Sequence, residues 1–271
     1  MNSPHSITAP LKTLLRGEPD DLAEMLRHHS ASTVLRPCVV AIVIGCGMYG
    51  ASLGLWRAPL MAFFVGLKMP LLIFLTLMVN GLLNGILALV LGSGLSFRQT
   101  LTACLMCFAI FAMLVGSLSP IVIGMVLDAP PAGQPGAESW YRMFLLMHTA
   151  VIAFAGIVSN HKLLRLLQSF AGSPAIGWRT LIAWLAGNLF VGAQLSYNLR
   201  PFFGNPDLPV QLVRDNPFDG NFYIAVWSMM QPALGPVLFA AGGLLCVSLP
   251  FIVLILFTKR PLSATSDSSK P

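Results

Sequence analysis

One lysine and two asparagines are the polar side chains most capable of chemistry in residues 58–92, a stretch that is apolar almost throughout. Lys68 is the only charged residue of that stretch, and Asn80 and Asn84 lie one helical turn apart further along it. A charge at membrane depth costs at least about 2.5–3.5 kcal/mol on insertion scales, so it usually has a function or a specific partner. Lys68, the neighbouring Pro70 and the two asparagines are therefore candidate functional residues.

Amides inside a membrane serve one of two purposes. They hydrogen-bond to a neighbouring helix, or they line a polar path together with a matching stripe on another helix. Thr76, Asn80 and Asn84 are spaced four residues apart, which places them along one stripe of a helix. Gln194 and Asn198, near the end of a later apolar run, are the matching amides that a path would use. Both interpretations are open from the sequence.

His148 is the one histidine at membrane depth, and a proton relay through it would need a carboxylate partner. All 10 acidic residues lie outside the predicted spans, which favours a neutral packing histidine. Cys104 and Cys107 lie within one apolar run without a second ligand pair, so packing is favoured over zinc or redox chemistry. The sequence carries no recognisable catalytic, metal-binding or phosphate-binding motif, so we expect neither enzymatic activity nor a cofactor.

The composition indicates that a lipid bilayer surrounds this chain. Of its 271 residues, 56% are hydrophobic and 10% are charged, and the mean hydropathy is +0.77. A soluble domain has about 25% charged residues. Apolar runs of about 20 residues recur between polar connectors, and because they are continuous rather than alternating, they indicate helices and not a barrel. We predict an all-α, polytopic transmembrane bundle. The net charge of +6 lies mostly in connectors, so nucleic acid is not an expected partner.

The predicted organisation is an N-terminal segment, a transmembrane domain and a tail. Residues 1–33 are predicted to form cytoplasmic amphipathic helices that lie on the membrane, contact a partner or pack on the protein's own loops. Residues 34–257 are predicted to form the transmembrane domain, and residues 258–271 a disordered tail. Six spans are expected, at residues 34–56, 68–92, 101–127, 140–159, 181–199 and 232–257.

Small residues and prolines predict how these spans meet. Gly50 and Gly54 in the first span are four residues apart, a spacing that lets another helix approach closely. Pro120 is expected to kink the third span, with nearby serine hydroxyls bonding to the carbonyls that the kink releases. Pro70 fits the first turn of the second span, which places Lys68 at the outer boundary of that span.

The connector 200–223 is predicted to be a folded loop at the outer membrane surface. It combines Asn-Pro and Asp-Gly turn signals with large aromatic residues. Lys68 is expected to anchor this loop to the second span, through a helix-end carbonyl, a lipid phosphate or a loop aspartate. The candidate residues of the loop itself are Arg200, Asp207, Arg214 and Asp215.

Basic residues in the connectors predict the orientation. With the N-terminus in the cytoplasm, Arg98, the basic connector 160–180 and the pair Lys259 and Arg260 all lie inside, as the positive-inside rule requires. The chain contains no Asn-x-Ser/Thr acceptor site, which favours a bacterial source. We expect a bacterial cytoplasmic (inner) membrane protein with both termini inside.

The chain combines a helical N-terminal segment, a first span rich in small residues, and Lys68-Met69-Pro70 at the start of the second span. In these features it resembles the Yip family, the Rab-interacting class of small multi-span membrane proteins. The likeness is in particular to the bacterial relatives of that family, whose function is unknown. The resemblance covers about residues 10–200. The family's Asp-Leu-Tyr-Gly-Pro motif is replaced here by Met48-Tyr49-Gly50-Ala51, and the family is similar to a five-span bundle. The resemblance implies a membrane organiser or adaptor without catalytic residues.

We therefore expect a non-enzymatic scaffold, adaptor or subunit of a membrane complex. Its expected partners are the lipid bilayer and another membrane protein or a second copy of the chain. One alternative is a channel or uncoupled transporter lined by Thr76, Asn80, Asn84, Gln194 and Asn198. A second alternative is a lipid-modifying membrane enzyme that uses the 200–223 loop.

Overall fold

The computed structural model describes residues 8–28, 31–131, 133–202 and 209–230. These residues form nine helices and no strand, which confirms the all-α fold class for this part of the chain. Two compact units are distinguished, Met1–Asp219 and Gly220–Pro271. The helices are α1 (Thr8–Arg16), α2 (Pro19–His28), α3 (Ala31–Leu55), α4 (Pro59–Val90), α5 (Phe97–Ser117), α6 (Ser119–Leu127), α7 (Ala137–Phe170), α8 (Pro174–Asn198) and, in the second unit, α9 (Phe222–Met230).

Four segments of the described chain are long and apolar enough to cross a membrane, which supports a membrane protein. They correspond to the first four predicted spans: Thr33–Leu55, Pro59–Val90, Phe97–Leu127 and Ala137–Phe170. The fifth predicted span falls within α8, which has 25 residues but is not among the four, because its amides lower its hydropathy. The predicted span 232–257 and the tail 258–271 lie outside the described residues.

The start of α4 differs from the prediction. Ala58 has an extended backbone, and Pro59 occupies the first turn of the helix, where a missing N–H costs little. Pro70 therefore lies inside α4, and its predicted place in the first turn is wrong. Lys68 is likewise an interior residue of the helix, with 1% of its surface exposed, and not a boundary residue. Residues 60–67 contain no proline, and their one glycine, Gly66, costs only about 1 kcal/mol inside a helix, so the helix extends back to Pro59.

The predicted break at Pro120 is confirmed. α5 ends at Ser117 and α6 begins at Ser119, with Pro120 in its first turn. The Ser117 hydroxyl donates to the carbonyl oxygen of Leu114 at 2.7 Å, as expected for a serine beside a break. The buried Ser119 hydroxyl has no hydrogen-bond partner among the described residues.

The N-terminal helices α1 and α2 pack on the protein's own helices. Leu14 and Leu22 are buried, at 0% and 1% exposure, whereas Leu15 is 63% exposed and does not share the face of Leu14. The Lys162 side chain of α7 donates to the carbonyl oxygen of Arg16 at 2.8 Å. α7 is 34 residues long, about 50 Å, so it is longer than a hydrocarbon core of about 30 Å. α2 packs against it.

Glycines bring α3 into close contact with its neighbours. α3 packs against α1, α4, α5 and α6. A methyl group added to Gly45 would lie 2.2 Å from the carbonyl oxygen of Ala112 in α5. Methyl groups added to Gly50 and Gly54 would each lie 2.5 Å from a carbonyl oxygen of α4. The predicted close approach at Gly50 and Gly54 is therefore confirmed.

We expect Gly45→Ala to lower the free energy of unfolding by about 1–3 kcal/mol, because the added methyl group forces two backbones apart. Gly156 of α7 is the matched control, since an added methyl group meets no atom of the described chain within 4 Å. Gly156→Ala should be neutral or stabilising by up to about 1 kcal/mol through helix propensity. Thermal unfolding in mild detergent measures both, and equal midpoints would contradict the close packing of α3 and α5.

Candidate functional site

The two asparagines of α4 hydrogen-bond to α8. Asn80 Nδ2 donates to the carbonyl oxygen of Gly187 at 2.9 Å and to Asn188 Oδ1 at 3.1 Å. Asn84 Nδ2 donates to the same Asn188 oxygen at 3.3 Å. Asn80 is 2% exposed and Asn84 is 0% exposed. These are the contacts of asparagines that join two packed helices.

The contact between α4 and α8 extends in both directions from the asparagines. Trp184 Nε1 donates to the backbone carbonyl oxygen of Asn84 at 2.9 Å. Towards the other end, a methyl group added to Gly192 would lie 3.7 Å from Thr76 Oγ1. The two helices therefore meet along two stripes with a four-residue spacing, Thr76, Asn80 and Asn84 on α4, and Trp184, Asn188 and Gly192 on α8.

The sequence predicts the α4 stripe but not the α8 stripe. It matched α4 with Gln194 and Asn198, but Gln194 Nε2 donates to Asn198 Oδ1 at 2.9 Å within α8 itself. Asn188 is the amide that faces α4. Its position in the middle of an apolar helix was a usable signal, because an amide at that depth must find a partner.

Cys104 of α5 is a further neighbour of this cluster. Asn84 Nδ2 lies 3.8 Å from Cys104 Sγ, and Cys104 and Cys107 are both buried free thiols. The Oδ1 atom of Asn84 has no hydrogen-bond partner in the described part of the chain, so the cluster contains one buried acceptor without a donor. No group of three histidine, cysteine or acidic side chains that could hold a metal ion occurs among the described residues.

Lys68 connects α4 to the chain that follows α8. Its Nζ donates a hydrogen bond to the carbonyl oxygen of Pro201 and lies 5.2 Å from the centroid of the Phe202 ring. No ion pair joins it to a carboxylate of the described residues. Of the three predicted kinds of partner, the geometry thus supplies a carbonyl, and it belongs to the loop rather than to a helix end. Asp207 lies outside the described residues.

Arg214 organises the described part of the 200–223 loop. Its guanidinium donates to the carbonyl oxygens of Pro217, at 3.1 Å, and of Asp219, which closes a turn. Its backbone N–H donates to the carbonyl oxygen of Arg200 at 3.2 Å. The guanidinium carbons of Arg200 and Arg214 lie 3.6 and 4.9 Å from the centroid of the Tyr197 ring. Two cation–π contacts on one ring hold the loop to the end of α8.

His148 lies in a column of aromatic rings. Its Nδ1 and the Tyr49 hydroxyl are 2.7 Å apart, and both residues are 0% exposed. Phe144 meets the His148 ring edge-on with centroids 4.1 Å apart, and Trp140 stacks on Phe144 at 4.4 Å. Trp56 continues the column at 5.0 Å from Trp140. This environment is that of a packed, hydrogen-bonded histidine, as the sequence favours.

In comparisons with protein-family models, curated proteins and solved structures, no match to this chain was found. The site is therefore interpreted from its own geometry. Among the predicted residues, Asn80 and Asn84 are joined to α8 through Asn188, and Lys68 is joined to the following loop through Pro201.

A double-mutant cycle tests the hydrogen bonds between α4 and α8. We expect Asn80→Leu and Asn188→Leu each to destabilise the protein by about 1–2 kcal/mol, with a coupling energy of about 0.6–2 kcal/mol, because both remove the same interaction. Asn160 is the control, since its amide donates to the Gly156 carbonyl within α7. Asn80→Leu and Asn160→Leu should be additive, and additivity of the Asn80 and Asn188 variants would refute the contact.

Proposed function

We propose that this chain is a non-enzymatic integral membrane protein that acts as a scaffold, adaptor or subunit of a membrane complex, with the loop after α8 as its contact surface. One observation carries the proposal: the buried Lys68 ammonium holds the start of that loop through the Pro201 carbonyl. A charge inside an apolar bundle is costly, so its use to fix a loop indicates that the position of the loop matters.

The described part of the loop presents both apolar and charged side chains. Phe218 is 85% exposed and Leu212 is 41% exposed, and Asp215 between them is also exposed. The turn that carries Asp215 and Phe218 is held by Arg214 through its carbonyl contacts. An aromatic side chain on an ordered loop contributes to binding at a low entropic cost. Such a surface suits contact with another membrane protein or a second copy.

The channel alternative has less support from the same geometry. A conducting path needs polar groups that face water, whereas Asn80 and Asn84 are almost fully buried and donate to α8. Flux measurements in liposomes decide between the two functions. A flux in the wild type that Asn80→Leu and Asn84→Leu both abolish would favour the channel, and absence of flux favours the scaffold.

We also propose that the chain crosses a bacterial cytoplasmic membrane six times, with both termini inside. α8 would be the fifth span, because its 25 residues reach about 37 Å and it packs on α4 and α7. The tract 232–257 would be the sixth. The end of the bundle that holds α1 and α2 carries Arg16, Arg27 and Lys162, which supports its placement inside.

α1 and α2 are, in this proposal, amphipathic helices whose polar sides face the cytoplasm. Their apolar side chains Leu14, Leu22 and Met25 are buried, and Lys12 and Glu24 are exposed. The resemblance to the Yip family also supports the proposed scaffold or adaptor function, because it implies a membrane organiser without catalytic residues. The proposal predicts that the exposed polar sides of these helices and the loop after α8 lie on opposite sides of the membrane.

Lys68→Leu should loosen the loop. A hydrogen bond to a charged group contributes about 1.5–3 kcal/mol, so local opening should rise about tenfold or more. Tryptic cleavage after Arg214 in the detergent-solubilised protein measures this opening, since cleavage follows the open population. Lys12→Leu, at an exposed lysine of α1, is the control. An unchanged cleavage rate in Lys68→Leu would retire the anchoring role.

Co-purification tests the contact surface. In mild detergent the wild type should carry a stoichiometric partner or form a homo-oligomer, and Phe218→Ser should release it because the exposed ring is the apolar centre of the loop. Trp178→Ser, at a residue that is 51% exposed near the start of α8, is the matched control and should retain it. A strictly monomeric, partner-free wild type would overturn the scaffold function.

A further inference from the structure

Two arginines from different helices converge on one cavity at the end of the bundle where α2 packs. The cavity has a volume of about 200 Å³ and is lined by Arg27 of α2 and by Arg98, Gln99 and Thr102 of α5, among others. None of the described residues that line it is acidic. Two guanidinium groups that share a cavity repel each other, so the arrangement is favourable when an anion lies between them.

Arg27 is held in position by the end of α7. Its guanidinium donates to the carbonyl oxygen of Ser169 at 3.1 Å and lies 4.5 Å from the centroid of the Phe170 ring. A guanidinium has five N–H donors, so this bond leaves donors for a ligand. The acidic residue nearest in sequence, Glu24, is exposed and does not line the cavity.

The backbone at the start of α5 is already capped. Ser96 Oγ accepts from the Gln99 N–H at 3.3 Å, and Gln99 Oε1 accepts from the Ser96 N–H at 2.9 Å. This capping box satisfies two of the backbone N–H groups at the start of the helix. The charge that attracts an anion to the cavity comes from the arginine side chains.

An apolar groove of about 320 Å³ lies beside the cavity, and α3 and α5 contribute residues to both. It is lined by Leu35 and Val39 of α3, Leu101 and Leu105 of α5, and Phe74 and Met78 of α4. Val34 and Thr102 line the cavity, and their chain neighbours Leu35 and Leu101 line the groove, so the two lie next to each other on neighbouring faces of α3 and α5. The groove residues of α3 and α5 lie four and eight residues from the starts of these helices, about 6–12 Å, whereas Arg98 and Gln99 of the cavity lie in the first turn of α5.

We propose that the cavity and the groove together bind one anionic phospholipid, with its phosphate between Arg27 and Arg98 and an acyl chain along the groove. The cavity lies at the first turn of α5, where a membrane-crossing helix meets the headgroups, and the groove lies deeper. A phospholipid likewise has its charged phosphate at the membrane surface and its acyl chains deeper in the membrane. Anionic lipids also bind basic side chains at the membrane surface. The site is separate from the loop after α8 and does not rest on the scaffold function.

The test measures lipid retained by the full-length protein in mild detergent, by native mass spectrometry during titration with phosphatidylglycerol or phosphatidylcholine. The wild type should hold one phosphatidylglycerol in preference to phosphatidylcholine. The double variant Arg27→Gln, Arg98→Gln should bind phosphatidylglycerol about tenfold more weakly or worse, because both phosphate contacts are lost. Arg142→Gln is the control, at an exposed arginine paired with Glu138 at 3.2 Å, and should bind as the wild type does.

A third variant separates a lipid from a free phosphate. Leu35 is 44% exposed, so Leu35→Trp fills the groove at a position that tolerates bulk, and it tests the site independently of how the arginine variants fold. It should weaken phosphatidylglycerol binding. The competition of inorganic phosphate with phosphatidylglycerol for the cavity should remain unchanged. Equal affinity for the two lipids would overturn the proposal. Phosphatidylglycerol binding unaffected by either Leu35→Trp or the double arginine variant would also overturn it.

Discussion

The buried polar stripe of α4 is the constraint on which the arrangement of the helices depends. Lipid offers no hydrogen-bond partners, so donors inside the bundle must find acceptors in the protein. The residues of the stripe are separated by four or eight positions. Their partners occur in the opposite order along α8 and the loop that follows it. The hydrogen-bonded pairs are Asn84 with Trp184, Asn80 with Asn188, and Lys68 with Pro201. Thr76, whose hydroxyl donates to the Leu72 carbonyl within α4, lies beside Gly192. The order requires α8 to lie antiparallel to α4 and specifies its register.

Helix association in this bundle uses two different physical means. Burial of apolar surface drives little association between helices in lipid, so close packing and hydrogen bonds decide which helices meet. α3 relies on packing, since Gly45, Gly50 and Gly54 let its backbone approach α5 and α4. α8 relies on hydrogen bonds through Asn188 and Trp184. The same polar residues that lower the hydropathy of α8 therefore fix it to α4.

The sequence predicted the features that depend on local properties. Run length and hydropathy predict the helices, and the spacing of Gly50 and Gly54 predicts a close approach. It could not identify Asn188 as the partner of Asn80, because the rotation and register of two helices decide which amide faces inward. It also misplaced the start of α4, since Pro59 and Pro70 are both acceptable in a first turn. The deciding contact, Lys68 with Pro201, joins residues far apart in the chain.

The interior position of Lys68 couples helix packing to the surface of the protein. α4 is 32 residues long, about 48 Å, and Lys68 lies about 14 Å from its start, within reach of the chain that leaves α8. The loop supplies a carbonyl and an aromatic ring to the ammonium, so the charge is stabilised without a carboxylate among the described residues. Because the stripe that sets the register of α8 ends at this lysine, a shift of α8 along α4 would move Pro201 away from it. The register of α8 on α4 therefore determines where the start of the loop after α8 lies.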